Sequence, residues 1–310
     1  MLWVYALMNV FKKLLRLVSD EDYRYLVKAA RFGEDYLDDE TYLKKVYKAL
    51  FHRELNLTSP QTFNEKLQWL KLYDRNDKYT MLVDKYLVRD YVAKKIGKEH
   101  LIPLIGVWDD PDEIPFELLP TQFVLKCNHN SGCGMYICKD KSKMNVKKVK
   151  RALRKGLNQD YYLTCREWPY KNVKRKIVCE QFMGESLIDY KIQCINGHVD
   201  HFMVCYGRTE TKLPDFYYFD KDWNFLPYNP YLTEFVDFET IKPKHIDEMI
   251  RIAEILGKES PAMRVDLYEI NDHVYFGEMT LFNHGGFDAE LPYEIDLMLG
   301  KKLQLPEKKK

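Results

Sequence analysis

The spacing of apolar residues predicts helices in the first third of the chain. Helical periodicity covers residues 20–32, 39–51, 63–73 and 78–96. Thr62 and Glu65 form a capping-box pattern that opens the third of these helices. Gly97 is a helix stop, and four prolines after it predict a connecting loop over 98–120. We therefore expect a helical N-terminal region over residues 1–100.

From residue 121 the pattern changes to short apolar runs that predict β-strands. The runs are QFVLKC, MYICK, KIVCEQFM, DYKIQCI, VDHFMVCY and FYYF, interrupted by helical stretches near 145–165. Pro243 begins an amphipathic helix that Gly257 ends. Two further strands, AMRVDLYEI and VYFGEMT, flank Asn271-Asp272, a dipeptide that favours a hairpin turn. The expected fold class is α+β, with one lobe over 101–185 and another over 186–310.

The composition disfavours some classes of binding partner but identifies none. The 310 residues include 48 basic and 47 acidic ones, so nothing favours wholesale binding to nucleic acid. The seven cysteines form no Cys-x-x-Cys pair, which indicates reduced thiols and a cytoplasmic location. Cys127, His129, Cys133 and Cys138 lie close together in sequence, but their loose spacing disfavours a zinc site.

Residues 1–18 combine an apolar run with Lys12, Lys13 and Arg16. The run is too short to span a bilayer, and no signal-peptide cleavage site follows it. An amphipathic helix is expected here. It either packs on the protein's own core, which we favour, or makes a peripheral contact with the inner face of the membrane.

A glycine-containing loop is the first candidate for chemistry. In FVLKCNHNSGCGM, a strand ending at Lys126 leads into a polar loop with Gly132 and Gly134. Glycines let backbone N–H groups approach phosphate oxygens, and a lysine at the strand end adds a fixed positive charge. The order of lysine and glycines in this segment differs from the GxxxxGK[ST] pattern of a P-loop. An ordinary glycine hairpin explains the segment equally well.

A second candidate lies on the last two predicted strands. Asp266 and Glu278 are twelve residues apart, with Arg264 two before the aspartate and Thr280 two after the glutamate. Side chains two apart on a strand share a face, so these residues can converge on one surface. Gathered carboxylates suit magnesium beside substrate phosphates. The alternative is a solvated charged face.

A third segment, KIVCEQFMGESLIDYKIQCI, lies between the first two candidates. A strand through Glu180 enters a loop at Phe182 and Met183, and a second strand begins at Asp189. Free backbone groups at such a strand end can meet an adenine edge, and a carboxylate beyond can accept from ribose hydroxyls.

In this order, the three segments resemble the ATP-grasp superfamily, and the sequence resembles its TupA-like branch, which is associated with teichuronopeptide and other surface-polysaccharide biosynthesis. The resemblance covers about residues 60–290. It is carried by FNEKLQWLKLYDRND, DKYLVRDYVAKKIG, FVLKCNHNSGCG, DYKIQCING and RVDLYEINDHVYFGEMT. It implies an ATP-grasp fold in which the two α+β lobes clasp ATP.

The resemblance also implies roles for individual residues. ATP would contact Lys126, Ser131, Gly132, Gly134, Met135, Glu180, Gln181, Phe182, Met183, Asp189 and Lys191. Within that set Lys126 meets phosphates, Glu180 the adenine amino group and Asp189 the ribose hydroxyls. Lys126 and Arg264 would act in catalysis. The magnesium ligands would be Asp266, Glu278 and Thr280.

This chain departs from the superfamily pattern at two points. Thr280 stands where the superfamily usually has asparagine, and threonine offers one oxygen but no amide. Asn283 is a substitute farther along the chain. His284-Gly285-Gly286 replaces the Pro-Gly usually found after the metal strand.

The implied activity is that of an ATP-dependent carboxylate–amine ligase that forms an amide through an acyl phosphate. The implied substrates are a uronic-acid carboxyl of a surface polysaccharide, or of its lipid-linked precursor, and an amine or amino acid. Arg208, Lys212 and the aromatic DFYYFDKDW stretch either line the acceptor site or form a surface hairpin with buried rings.

Two other functions compete with ligation. A metal-dependent glycosyltransferase would use Asp220-Lys221-Asp222 as a DxD triplet, although a turn between strands explains those residues as well. The other reading is a nucleotide-binding scaffold without catalysis. His129 and His284 are candidate acid–base groups, but a packed or solvated histidine is the default.

Overall fold

The computed structural model describes residues 16–32, 36–185, 187–208, 213–232 and 235–308. The helices are α1 (Glu21–Phe32), α2 (Asp39–Phe51), α3 (Phe63–Tyr73), α4 (Lys78–Val83), α5 (Val88–Ile96), α6 (Val146–Leu157), α7 (Tyr162–Cys165), α8 (Ile246–Gly257) and α9 (Tyr293–Lys302). The first three predicted helices are confirmed. The helix predicted over 78–96 is divided into α4 and α5. The helix predicted over residues 1–18 falls almost entirely outside the described residues, which begin at 16.

The strands form two antiparallel sheets. They are β1 (Leu104–Trp108), β2 (Phe123–Cys127), β3 (Tyr136–Cys138), β4 (Ile177–Gln181), β5 (Asp189–Ile195), β6 (His198–Tyr206), β7 (Asp215–Phe219), β8 (Phe225–Leu226), β9 (Ala262–Ile270) and β10 (His273–Thr280). The small sheet has the order β1-β4-β2-β3, and the large sheet has the order β10-β9-β5-β6-β7-β8. The mixture of helices and antiparallel strands confirms the α+β class.

Strand β1 corrects the loop predicted over 98–120. It pairs with β4 at one edge of the small sheet, with an irregularity between Leu104 and Gly106. Leu104 and Ile105 are both more than a third exposed. Because successive apolar residues face solvent there, the segment lacks the alternation by which a strand is recognised.

The chain folds into two compact units. The first comprises Met1–Arg75, Asp160–Trp168 and Phe282–Lys310, and the second comprises Asn76–Gln159 and Pro169–Leu281. Both sheets lie in the second unit. The lobe boundaries near residues 100 and 185 stay predictions. Within the described chain, no helix combines the length and apolarity needed to cross a membrane.

In the first unit, buried polar residues of α3 hold the segment 285–288. Asn64 donates to the Asp288 carbonyl and accepts from its N–H, at 3.2 and 2.7 Å. Gln68 donates to the Gly286 carbonyl. The Lys71 ammonium donates to the carbonyls of Cys165 and Gly285, and burial lowers the pKa of Lys71 to about 8. These bonds explain why a helix packed in the core carries polar side chains on its inner face.

In the second unit, helix α6 covers one face of the small sheet. The alternation of β2 puts Phe123 and Leu125 in a core with Val149 and Leu153 of α6. Lys126 is on the opposite face, because neighbouring residues on a strand point to opposite sides. The core therefore fixes which face of β2 carries the lysine.

The capping box predicted at the start of α3 is confirmed, because Thr62 and Glu65 bond reciprocally to each other's backbone N–H. We predict that Thr62→Ala lowers the free energy of unfolding by about 1 kcal/mol, since it leaves a helix N–H without its acceptor. Chemical denaturation measures the change. Thr62→Ser keeps the hydroxyl and serves as the control. Equal stability of Thr62→Ala and the wild type would contradict this account.

Candidate active site

The β9–β10 hairpin positions the two predicted metal carboxylates. Asn271 and Asp272 both have positive φ, 52° and 59°, as a two-residue type I′ turn requires, which confirms the predicted turn. The pairing then shifts by one residue, from Phe276 opposite Leu267 to Glu278 opposite Asp266, so that Gly277 forms a bulge. Without that extra residue, Glu278 would face the other side of the sheet.

Gly277 is required by the packing at this bulge. A β-carbon at this position would lie 2.8 Å from Cε2 of Tyr268 and 3.1 Å from the carbonyl oxygen of Asp266. Neither distance is tolerated without a shift of the neighbours, and one neighbour is backbone. The Tyr268 ring therefore occupies the space that a side chain at Gly277 would need.

Three neighbouring strands align the polar residues in two rows on one face of the large sheet. One row is Lys191, Asp266 and Glu278, and the next row is Gln193, Arg264 and Thr280. The structure thus brings together the predicted residues of β5, β9 and β10. Strand β10 ends at Thr280, so Asn283 lies beyond the strand.

Ion pairs connect these rows. The Arg264 guanidinium makes two hydrogen bonds to the Asp266 carboxylate, at 2.6 and 2.8 Å, and one to Glu278 at 3.3 Å. The Lys191 ammonium is 2.5 Å from Asp266 and 2.7 Å from Asp189. The site is therefore a cluster of alternating cations and carboxylates, which we call the β9 cluster: Asp189, Lys191, Arg264, Asp266 and Glu278.

The charges of the β9 cluster shift the pKa values of its members. Burial acts to raise the pKa of Glu278, but nearby cations, Lys85 foremost, lower it to about 2. Burial, reinforced by the Asp266 charge, raises the pKa of Asp189. The Oδ1 atom of Asp189 is buried and accepts no hydrogen bond from any residue that the structure describes. A ligand hydroxyl would satisfy this oxygen, which agrees with the predicted ribose contact.

On the small sheet, Lys126 and Glu180 lie on the same face of adjacent strands. Val124 pairs with Glu180, and Lys126 is two residues along from Val124. The Lys126 ammonium is 2.6 Å from the Glu180 carboxylate, which is buried. Arg89 of α5 contacts the other carboxylate oxygen at 3.0 Å. Glu180 is thus held by two cations in the structure.

Lys85 and Arg89 are residues that the motif analysis missed. Lys85 donates to the Asn130 carbonyl at 2.8 Å and lies 3.7 Å from the Glu278 carboxylate. It therefore connects the base of the glycine loop with the β9 cluster. The available signal was the string DKYLVRDYV, where these two cations are four residues apart just before and within a helix.

The glycine loop has an anchored base and an exposed tip. Asn130 donates to the Gly156 carbonyl at 3.1 Å, and Gly134 is buried with a positive φ of 74°. A β-carbon at Gly134 would lie 2.7 Å from the Cys127 sulfur. The tip residues, Ser131 and Gly132, are exposed, as is Met135. Exposed backbone at a glycine-containing tip suits the predicted phosphate contact.

The predicted adenine segment follows directly from Glu180. Gln181 is the exposed last residue of β4, and its N–H donates to the Pro103 carbonyl at 3.0 Å. Phe182 and Met183 lie beyond the strand and are half-buried. Their backbone groups belong to no strand pairing, as the prediction of purine contacts requires.

The residues suggested for an acceptor site are mostly packed. Tyr217, Phe219 and Trp223 are buried, and the last two rings stack at 4.3 Å. Arg208 is exposed after β6. Lys212 lies outside the described residues. The aromatic stretch therefore forms core, which agrees with the hairpin alternative.

The Asp220-Lys221-Asp222 triplet forms the turn between β7 and β8. The Asp220 carboxylate accepts hydrogen bonds from the N–H groups of Asp222 and Asn224, both at 2.9 Å. Because these backbone bonds already use the carboxylate, the triplet is accounted for by the turn.

The donor atoms of the β9 cluster fit magnesium with phosphates. In the described part of the chain no group of three or more His, Cys, Asp and Glu side chains is arranged to hold a metal. Asp266 and Glu278 offer two facing carboxylates. Magnesium is usually bound by one or two carboxylates, with substrate phosphates and water completing its shell.

Comparison with known proteins identifies the family. Residues 65–304 match the family model described as TupA-like ATP-grasp, so the chain belongs to that family. The α+β fold with two antiparallel sheets is the ATP-grasp fold. No curated protein matches the sequence.

Three of the solved structures that resemble this chain show low sequence identity to it. The D-alanine-D-alanine ligase of Helicobacter pylori has 16% identity and a TM-score of 0.39, over 79% of this chain and 70% of its own. The L-amino acid ligase of Bacillus licheniformis has 14% identity and a TM-score of 0.47, over 87% and 63%. The N5-carboxyaminoimidazole synthetase of Staphylococcus aureus, complexed with ADP, has 12% identity and a TM-score of 0.44, over 87% and 65%. The chain spans less than two thirds of the length of the last two.

The bulge at Gly277 gives a testable consequence. We predict that Gly277→Ala weakens Mg-ATP binding at least about tenfold, because the added methyl group displaces Tyr268 or the Asp266 backbone and moves Glu278 out of register. Isothermal titration calorimetry measures the affinity, and the melting temperature without ligand reports the fold. An unchanged Mg-ATP affinity would contradict the role assigned to the bulge.

Proposed function

We propose that this protein is an ATP-dependent carboxylate–amine ligase that forms an amide through an acyl phosphate. The observation that carries the proposal is the β9 cluster, in which the cations Lys191 and Arg264 flank the facing carboxylates Asp266 and Glu278, with Lys85 close to Glu278. Family membership supports the same conclusion. The arrangement places fixed positive charge where phosphate oxygens and a metal would meet.

The chemistry proceeds in two steps. A carboxylate oxygen of the substrate attacks the γ-phosphorus of ATP, the bond to the β-phosphate oxygen breaks, and ADP leaves. An amine then attacks the acyl carbon of the mixed anhydride, inorganic phosphate leaves, and the amine loses a proton. Phosphorylation is needed because an ionised carboxylate is a poor acylating agent.

Different residues of the chain bind ATP and stabilise the charge on the transferred phosphoryl group. Lys126, Lys191 and Arg264 neutralise phosphate oxygens as charge spreads over the transferred group. Backbone N–H groups of residues 131–135 contact the phosphates, and Glu180 with the 181–183 backbone binds the adenine. Magnesium held by Asp266 and Glu278, with Thr280 as a further oxygen, would add positive charge at the transferred phosphoryl group.

We infer that the carboxylate is a uronic-acid carboxyl of a surface polysaccharide or its lipid-linked precursor, and that the amine is an amino acid or another small amine. The support is the TupA-like branch of the family. Such a reaction takes place in the cytoplasm, where ATP is present.

Trapping the acyl phosphate tests the proposal. Hydroxylamine in place of the amine should give a hydroxamate when the protein is incubated with Mg-ATP and a galacturonate oligomer, and phosphate release should depend on the oligomer. Phosphate release that is equally fast without any carboxylate, or hydroxamate formation that does not need ATP, would argue against a ligase.

Two substitutions test the site residues. We predict that Lys126→Ala and Glu278→Gln each lower phosphate release at least about a hundredfold. The first removes the positive charge that would contact the phosphates, and the second removes the negative charge that would bind the metal. The matched controls are Lys139→Ala and Asp272→Asn, which change an exposed lysine and an exposed turn aspartate of the same sheets. Near-normal turnover of either site variant would disprove its assignment.

A further inference from the structure

Helix α6 (Val146–Leu157) concentrates positive charge although the chain as a whole carries a formal charge of +1. The helix has no acidic residue, and its basic residues are Lys147, Lys148, Lys150, Arg151, Arg154 and Lys155. Its apolar residues Val149 and Leu153 are buried in the core of the small sheet. The basic side chains therefore lie on the faces of the helix that the core leaves open.

Four of these basic residues have no acidic partner among the residues that the structure describes. Lys150 and Arg154 both pair with Asp112. The other four are exposed, and their own side chains make no hydrogen bond or ion pair with any described residue. We call them the α6 stripe: Lys147, Lys148, Arg151 and Lys155. Three of the four are spaced four residues apart, so they follow one another along the helix at about 6 Å intervals.

The last turn of α6 contacts the glycine loop. A β-carbon at Gly156 would lie 2.7 Å from the α-carbon of Gly134 and 2.8 Å from the Cys133 carbonyl oxygen. Asn130 at the base of the loop donates to the Gly156 carbonyl at 3.1 Å. The helix that carries the α6 stripe therefore supports the segment assigned to phosphate contact.

We propose that the α6 stripe binds the polyuronate chain at sugars other than the one that reacts. This inference rests on the proposed function, because it takes the same polymer as its partner. Carboxylates recur along a polyuronate, so several can pair with the stripe at once, although a single surface ion pair contributes little. A polymer is favoured over a lipid surface because the apolar side of the helix is buried in the protein and cannot insert into a membrane.

The test measures binding of oligogalacturonate to the full chain without ATP. The stripe variant is Lys147→Glu, Arg151→Glu and Lys155→Glu combined. The control variant combines Lys98→Glu, Lys221→Glu and Lys301→Glu, three exposed positions elsewhere that give the same change in net charge. The wild type and the control should bind with an affinity that falls as salt rises, and the stripe variant at least about tenfold more weakly.

Several results would overturn the proposal. These are equal affinity for the stripe variant and the wild type, equal loss in the control variant, and no binding by the wild type at low salt. Binding of the wild type to phosphatidylserine vesicles but not to oligogalacturonate would assign the surface to a membrane instead. Mg-ATP must raise the melting temperature of the stripe variant as much as that of the wild type. If the glutamates unfold the helix, a variant that combines Lys147→Gln, Arg151→Gln and Lys155→Gln takes the place of the stripe variant.

Failure of the proposed function would look different. In that case, adding monomeric galacturonate would not increase phosphate release from ATP. The monomer is used for this comparison because one sugar is too short to need the α6 stripe. Loss of polymer binding in the stripe variant together with normal use of the monomer supports the inference. An unchanged preference of the stripe variant for oligomer over monomer contradicts it.

Discussion

The candidate site depends on the one-residue bulge at Gly277. Side chains alternate along a strand, so a hairpin with a two-residue turn and no bulge would leave Asp266 and Glu278 on opposite faces of the sheet. The extra residue turns Glu278 back toward Asp266, and glycine is required because the Tyr268 ring fills the adjoining space. Arg264 contacts both carboxylates because of this register, whereas Lys191 pairs with Asp266.

Such a concentration of charge is stable only because its members compensate one another. Asp266 is almost fully buried, and an isolated buried carboxylate would be strongly destabilising. Arg264 and Lys191 supply the opposite charge at hydrogen-bonding distance. Removing one member leaves an uncompensated charge, which ties the stability of the second unit to the groups that would bind phosphate and metal.

Much of the fold is predictable from patterns among residues that are close together in sequence. The capping box of α3, the positive-φ turn at Asn271-Asp272 and the shared face of Arg264 and Asp266 each depend on residues near in sequence. The shift at Gly277 was not visible, because it depends on the packing of Tyr268. Strand β1 was missed because its apolar residues face solvent, and Lys85 was missed because tertiary structure alone brings it to Glu278.

We propose that the β9 cluster and the glycine loop together bind Mg-ATP. The most direct measurement compares the melting temperature of the purified protein with Mg-ATP, with magnesium and a UDP-sugar, and with magnesium alone, because a ligand that binds only the native state raises it. We expect a rise with Mg-ATP that neither of the other two conditions gives. A rise with the UDP-sugar and none with Mg-ATP would contradict it and favour a glycosyltransferase.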